Sequence, residues 1–149
     1  MMRGVLLEPV ALQLLRMEKP DWKIEWNGTP GTISGDYYRD PQSRLGATPD
    51  AFAIDPARGR GIIQTKSVNP RTFRENWRKS DDGLGNPDEI APPLWIGVQA
   101  IVEAYLTGAQ WAAVAPLVIG HGIDQHIIDV PIHTGVINRV RELSLEFWD

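Results

Sequence analysis

The chain contains no cysteine among its 149 residues. This excludes disulfide bonds, zinc–thiolate sites and thiol catalysis, and it is typical of a protein in a reducing compartment. No uncharged apolar run reaches the roughly 18 residues that a membrane-spanning helix requires. The N-terminus also lacks the pattern of a signal peptide, because Glu8 and Pro9 interrupt it. We therefore expect a cytoplasmic protein with no membrane partner.

Length and composition bound the architecture. A chain of 149 residues with 42% apolar and 23% charged residues is typical of one globular domain, residues 1–149, with a sizeable core. The net charge of −4 argues weakly against a nucleic-acid partner. Its distribution argues the other way, because basic residues crowd one stretch that only Glu75 opposes: Arg58, Arg60, Lys66, Arg71, Arg74, Arg78 and Lys79. Such a patch binds phosphates, although a solvated charged loop explains the charge equally well.

Periodicity of the apolar residues predicts the secondary structure. Helices are predicted over residues 1–18, 94–106 and 134–148, the first starting regularly near Leu7 or Glu8 because Pro9 is tolerable only in a first turn. Strands are predicted over residues 22–26, 33–38, 45–54, 61–68, 111–119 and 125–130, with a bulge at Pro116. Residues 69–93 read as a long loop with one helical turn. The order predicts an α/β (α+β) fold, a central mixed sheet flanked by helices.

Two predicted strands, residues 45–54 and 61–68, form a hairpin with chemistry at its end. Asp50 is a hard oxygen ligand, Gln64 offers its amide oxygen, and Thr65 offers its backbone carbonyl. Gln64 and Lys66 are two residues apart and share one face of the strand. Phosphodiester hydrolysis with a divalent metal requires such oxygens and a cation near the developing charge. The alternatives are a Pro-Asp turn, a polar outer strand face and, for Glu8, an acid at a helix start.

These segments together resemble a known nuclease family. The chain is similar to the YqaJ-type viral recombinase family of lambda exonuclease-like enzymes, within the PD-(D/E)XK nuclease superfamily. The matching segments are RGVLLEPVA (3–11), LGATPDAFAID (45–55), GIIQTKS (61–67), PPLWIGVQAIVEAYLTGAQW (92–111) and the ending RVRELSLEFW (139–148). The resemblance covers nearly the whole chain in the right order and implies a restriction-endonuclease-like core with a Mg²⁺ site that also accepts Mn²⁺.

The resemblance also implies a role for each matching residue. Glu8 and Asp50 match metal-binding acids, Gln64 stands at a third ligand position, Thr65 matches the backbone carbonyl ligand, and Lys66 matches the catalytic lysine. Thr48 and Gln99 match positions near the terminal 5′-phosphate of DNA. We add Arg71 and Arg74, from the basic stretch, as candidate DNA-binding residues.

Two departures from the family pattern stand out. Gln64 occupies a position where most members have Glu or Asp, so the site lacks one negative charge. Active nucleases with glutamine there exist within the superfamily. Members also carry helices before the RGxxLE segment, including an arginine for the 5′-phosphate, and nothing here matches them. Either the chain is a fragment, or its pocket for the 5′ end is incomplete.

The resemblance implies a DNA exonuclease of phage or prophage origin, acting 5′ to 3′ on duplex DNA during recombination. Its expected partners are DNA and a single-strand annealing protein, and related enzymes form homo-oligomeric rings. Two alternatives stay open: a catalytically weakened DNA-binding or accessory homologue, which Gln64 favours, and an endonuclease of the same superfamily.

Overall fold

The computed structural model describes residues 2–27, 36–78 and 89–148, and the side chains from residue 7 onward within them. The elements in chain order are α1 (Met2–Glu18), β1 (Lys23–Trp26), β2 (Tyr38–Asp40), β3 (Leu45–Ala47), β4 (Ala51–Asp55), β5 (Gly59–Val68), α2 (Pro70–Asn76), α3 (Leu94–Thr107), β6 (Trp111–Ile119), β7 (Ile123–Gln125), β8 (Ile128–Val130) and α4 (Thr134–Trp148).

The main sheet confirms the predicted mixed α/β class. Its order is β1-β4-β5-β6, and β6 carries both β7 and β8 on its far edge. Strands β5 and β6 run parallel, from the Gly61–Trp111 pair to the Val68–Val118 pair. The other pairings in this sheet are antiparallel. Strand β5 therefore lies inside the sheet with a neighbour on each side, and β2 pairs with β3 in a separate ribbon.

Alternating residues of β5 face two apolar layers. On one side Ile63 packs in a cluster with Leu12 and Leu15 of α1. On the other side Ile62 packs in a cluster with Ala100 and Ile101 of α3. Because successive side chains of a strand point to opposite faces, Gln64 and Lys66 lie on the α3 side, with Ile62.

Two predicted strands are divided in the structure. The stretch 45–54 is two strands, β3 and β4, in two different sheets, and Pro49 lies in the break between them. The stretch 125–130 is also two strands, β7 and β8. The predicted strand 33–38 lies mostly outside the described residues.

Two predictions about proline were wrong. Pro9 lies inside α1, which begins at Met2. Strand β6 has no bulge at Pro116, which pairs in register with Lys66. The N–H and C=O of one strand residue point to the same side of the strand. The carbonyl of Pro116 accepts a hydrogen bond from the His126 N–H at 3.2 Å, and His126 lies between β7 and β8. The position of the N–H that proline lacks therefore faces the gap between β7 and β8.

The helices match their predicted ranges better than their predicted faces. Helix α3 ends at Gly108, which has φ of 71°. We predicted an apolar face of Trp95, Val98, Ile101, Val102 and Tyr105. The buried residues of α3 are instead Ile96, Ala100, Ile101, Glu103 and Ala104, and Trp95 is 64% exposed. Ala100 and Ala104 explain this difference between the predicted and the observed face, because their small side chains let the helix approach the sheet closely.

The apolar pattern of α4 predicts an inner side of Val136, Ile137, Val140, Leu143 and Phe147, and the structure covers this side only in part. Its half-buried residues Val136 and Ile137 pack on the α3 cluster, whereas Leu143 and Phe147 are exposed. The predicted loop 69–93 contains α2, capped by Asn69, whose side chain accepts a bond from the Thr72 N–H at 2.8 Å. Residues 79–88 of that loop lie outside the described part. None of the described helices has the length and apolarity needed to cross a bilayer.

Candidate active site

A cavity of about 410 Å³ lies between α1, β5 and α3. Its polar lining comes from separate parts of the chain: Glu8, Asp50, Gln64, Thr65, Lys66, Ser67 and Gln99. The structure thus brings together the predicted metal and catalytic residues and one of the predicted phosphate-binding residues. The pairing of β4 with β5 ends at the Ala51–Ile63 pair, so β5 continues past β4 from Gln64 onward, and residues from the α1 face and the α3 face meet along this uncovered edge.

Asp50 is held at the start of β4 by backbone bonds. Buried Asn27 donates from Nδ2 to the Pro49 carbonyl at 2.8 Å, and its own N–H donates to the Asp50 carbonyl at 3.1 Å. The Asp50 carboxylate accepts from the Thr65 N–H at 2.9 Å and from Thr65 Oγ1 at 3.3 Å. Burial raises the pKa of Asp50, while the Thr65 bonds and the Lys66 charge act in the opposite direction.

Gln64 stands next to Asp50 in the neighbouring strand. Ala51 pairs with Ile63 in the ladder between β4 and β5, so one step further Asp50 is opposite Gln64. The Gln64 side chain is only 1% exposed, and its Oε1 finds no hydrogen-bond partner among the described residues. A buried amide oxygen without a partner is costly, so this atom is available as a ligand. Two residues on, Lys66 Nζ lies 5.3 Å from the centre of the Trp95 ring.

Glu8 reaches the cavity from α1. The helix begins at Met2 and its first turn contains no acid, so the interpretation of Glu8 as a helix-start acid was wrong. Burial, and then the charge of Asp50, raise the pKa of Glu8 to about 7, while Lys66 lowers it. A carboxyl so poised responds strongly to a nearby cation.

Glu103 belongs to the same neighbourhood and was missed by sequence reasoning. It is 1% exposed, and its Oε2 has no partner within the described structure. Burial, and then the charge of Asp50, raise the pKa of Glu103 to about 8, whereas Lys66 and a hydrogen bond with Gln99 lower it. The available signal was spacing, because Gln99 and Glu103 are four residues apart and share a helix face.

The donor set fits a hard divalent cation. Carboxylate, amide and carbonyl oxygens are the ligands that Mg²⁺ and Mn²⁺ prefer, and Gln64 and Glu103 both carry buried oxygens that no group in the described part of the chain bonds. Within the described residues, no three carboxylate or imidazole side chains converge as ligands of one ion. A cation here would therefore take Asp50 and Glu8 together with the Gln64 amide and the Thr65 carbonyl.

The remaining predicted DNA contacts do not line this cavity. Thr48 is exposed, just before buried Pro49. Arg71 and Arg74 lie on α2, and Arg71 forms an exposed ion pair with Glu75 at 3.1 Å. A second cavity of about 290 Å³ adjoins the first at Lys66 and Ser67, and α2 contributes Thr72 and Asn76 to its wall, not the arginines.

The basic stretch is divided by the structure. Arg58 and Arg60 lie at the hairpin end of β5, away from Lys66. Arg58 pairs with Asp55 at 2.8 Å and with Asp129 at 3.0 Å, and it stacks on the Trp111 ring at 4.0 Å. These two arginines therefore serve the packing of the sheet edge, and the basic stretch does not form one patch beside the cavity.

Comparisons with known proteins add little. No family model and no curated protein matches the chain. One solved structure, described as "Crystal structure of SSO0001", is similar with a TM-score of 0.46 and 15% sequence identity. The match covers 99% of this chain and 62% of that one, so this chain spans less than two thirds of its length. A likeness at this level carries no argument about function.

Proposed function

We propose that the chain is a divalent-metal-dependent deoxyribonuclease of the PD-(D/E)XK type, working as a 5′-to-3′ exonuclease on duplex DNA in phage-type recombination. The observation that carries the nuclease proposal is the meeting of Glu8, Asp50, Gln64, Thr65 and Lys66 around one cavity, with a buried amide oxygen left open. Polarity, the recombination setting and a single-strand annealing partner rest on the sequence resemblance.

The charge of the cavity supports a cation. Two carboxyl groups of the cavity, Glu8 and Asp50, and the buried Glu103 on α3 have raised pKa values, and the charge of Lys66 acts on all three. The raised pKa values mean that the site resists further negative charge, so a DNA phosphate would enter it more readily once a cation is bound. When bound, Mg²⁺ or Mn²⁺ would polarise the phosphate and lower the pKa of a water. The oxygens of Asp50, Gln64, Glu8 and the Thr65 carbonyl would hold it.

The remaining chemistry falls to residues of the chain itself. Lys66 stands on the same strand face as Gln64, next to the cavity, where its ammonium would stabilise charge developing on the phosphate or orient the attacking water. Thr65 fixes the Asp50 carboxylate through two bonds, so this acid keeps one orientation. Gln99 presents an amide from α3 to a terminal phosphate.

Cleavage of end-labelled duplex DNA tests this function. With Mg²⁺ or Mn²⁺ the wild type should release nucleotides, and Asp50→Asn or Lys66→Ala should lose at least about 100-fold in rate, since each removes an electrostatic contribution to the transition state. Lys23→Ala, which changes an exposed lysine of β1, is the matched control and should cleave normally. Equal rates in the wild type and both site variants would contradict the proposal.

The second candidate is a DNA-binding homologue without catalysis, and the neutral Gln64 favours it. That candidate predicts salt-dependent binding of duplex DNA with no product at any metal concentration. Circular plasmid resolves the remaining alternative, because an exonuclease leaves a closed circle intact and an endonuclease nicks it.

A further inference from the structure

Glu103 occupies a place in α3 where an apolar residue would pack without cost. Its neighbours on the buried side of the helix are Ala100 and Ala104. A carboxyl that is 1% exposed, with one oxygen lacking a partner in the described structure, loses hydration without full compensation. This cost is characteristic of a residue kept for a site and not for packing.

The position of Glu103 connects it with the cavity. Gln99, one helical turn earlier, lines the cavity and hydrogen-bonds with Glu103. Helix α3 packs on the face of β5 that carries Ile62, and Gln64 and Lys66 follow on the same face. Glu103 and Gln64 therefore lie in the one buried layer between α3 and β5, and each holds an oxygen that has no partner among the residues the structure describes.

Gln64 and Glu103 bring different groups to this layer. Gln64, on the strand, carries a neutral amide, and Glu103, on the helix, carries a buried carboxyl group. We propose that Glu103, ionised once a cation is bound, supplies from α3 the negative charge that position 64 lacks, and so is an acidic positioning residue of the cation site. The proposal rests on the metal-dependent function proposed above and extends it to a residue outside the matched motifs. The coupling of Glu103 to Asp50 and Lys66 in its pKa agrees with it.

Because no three acidic side chains converge on one ion in the described residues, Glu103 acts on the cation through its field, outside the ligand set. Groups just outside the ligands of a metal typically contribute about 10- to 100-fold to its affinity. Glu103→Gln should therefore weaken Mn²⁺ binding by about that factor. The charge should be transferable, so adding Gln64→Glu to Glu103→Gln should restore most of the affinity.

Calorimetric titration of the full chain with Mn²⁺, without DNA, measures this directly. Asp50→Asn is the positive control and should abolish binding. Glu142→Gln, an exposed acid of α4, is the matched control and should change nothing. Circular dichroism establishes that each variant folds. Gln has the shape of a neutral carboxyl, so Glu103→Gln should fold. As a second variant, Glu103→Asp keeps the charge and should bind Mn²⁺ more tightly than Glu103→Gln.

Each outcome decides the proposal. Loss of affinity in Glu103→Gln with recovery in the double variant supports it. If Glu103→Gln binds Mn²⁺ with wild-type affinity while Asp50→Asn does not bind it, the role of Glu103 is overturned and the nuclease proposal stands. Loss without recovery on adding Gln64→Glu overturns the exchange of charge between the two positions, as does weaker binding in Glu103→Asp than in Glu103→Gln. A wild type that binds no Mn²⁺ overturns both this inference and the metal-dependent function.

Discussion

Asn27 helps to position the site through its hydrogen bonds to the backbone. Its Nδ2 donates to two backbone carbonyls, of Asp36 at 2.9 Å and of Pro49 at 2.8 Å, and its N–H bonds to the Asp50 carbonyl. One side chain thus joins the end of β1, the segment before β2 and the start of β4. The orientation of Asp50 depends on this connection as much as on Thr65.

Asn27→Ala should lower the free energy of unfolding by about 2 kcal/mol, because it leaves buried carbonyl oxygens without a donor. Urea denaturation followed by tryptophan fluorescence measures the change. Asn138→Ala, on the exposed side of α4, is the control and should stay within about 0.5 kcal/mol of the wild type. Equal free energies of unfolding in the two variants would show that the hydrogen bonds of Asn27 do not stabilise the protein.

Sequence reasoning at the residue scale found the residues with a local signature. Gln64 and Lys66 could be placed on one face because a strand has a period of two. Asp50 followed from the hairpin. Spacing places Glu103 on the same helix face as Gln99, but its burial could not be predicted, because it depends on how closely α3 approaches β5. That distance is set by Ala100 and Ala104, whose small size no hydrophobic pattern emphasises.

At the scale of elements, α3 forms one wall of both cavities. Its inner face carries Gln99 and Glu103, and Trp95 stands exposed at its start beside Lys66. The second cavity, which includes Trp95, adjoins the first at Lys66 and Ser67. An exposed ring next to a lysine at such a junction is suited to stack on a base whose phosphate enters the cavity.

Trp95→Ala should therefore weaken binding of a DNA end by about 5- to 150-fold, the value of one stacked base. Fluorescence anisotropy with a labelled duplex carrying a short single-stranded end measures it. Trp148→Ala removes another exposed tryptophan, at the end of α4, and should have no effect. Equal loss of DNA affinity in the two variants would indicate nonspecific binding by exposed tryptophans and not stacking at α3.

Element ranges were predicted better than element breaks. The ends of α3 followed from Pro93 and Gly108, which have strong local preferences. The division of residues 45–54 into β3 and β4 could not be predicted, because it depends on which partner each half finds: β2 for one, β1 and β5 for the other. Such tertiary pairing leaves no mark in a short apolar run.

For the whole molecule, charge sets the conditions under which DNA can approach. The net charge is −4, and the cavity combines several carboxylates with one lysine. Arg58, at the hairpin end of β5, is already engaged with Asp55 and Asp129. Long-range attraction to a phosphate backbone is therefore weak, and affinity should depend on what the cavity holds.

DNA binding should accordingly require a divalent cation. We expect duplex affinity to rise at least about tenfold from EDTA to millimolar Ca²⁺, since a bound cation replaces repulsion by attraction at the cavity. Fluorescence anisotropy measures the affinity, and a gel run afterwards establishes that the duplex is intact. In Asp50→Asn the dependence on Ca²⁺ should disappear. Equal affinity of the wild type in EDTA and in Ca²⁺ would contradict this expectation.

The central place of β5 in the sheet has a consequence during synthesis of the protein. When a ribosome has completed β5, Glu8, Asp50, Gln64 and Lys66 have all been made. The strand nevertheless still lacks β6, its parallel neighbour, which begins at Trp111, and α3, which covers the Gln64 face. Contacts so distant along the chain form late in folding. A nascent chain therefore holds the residues of the cavity without the cavity, and whatever it binds or cleaves is withheld until most of the protein has been synthesised.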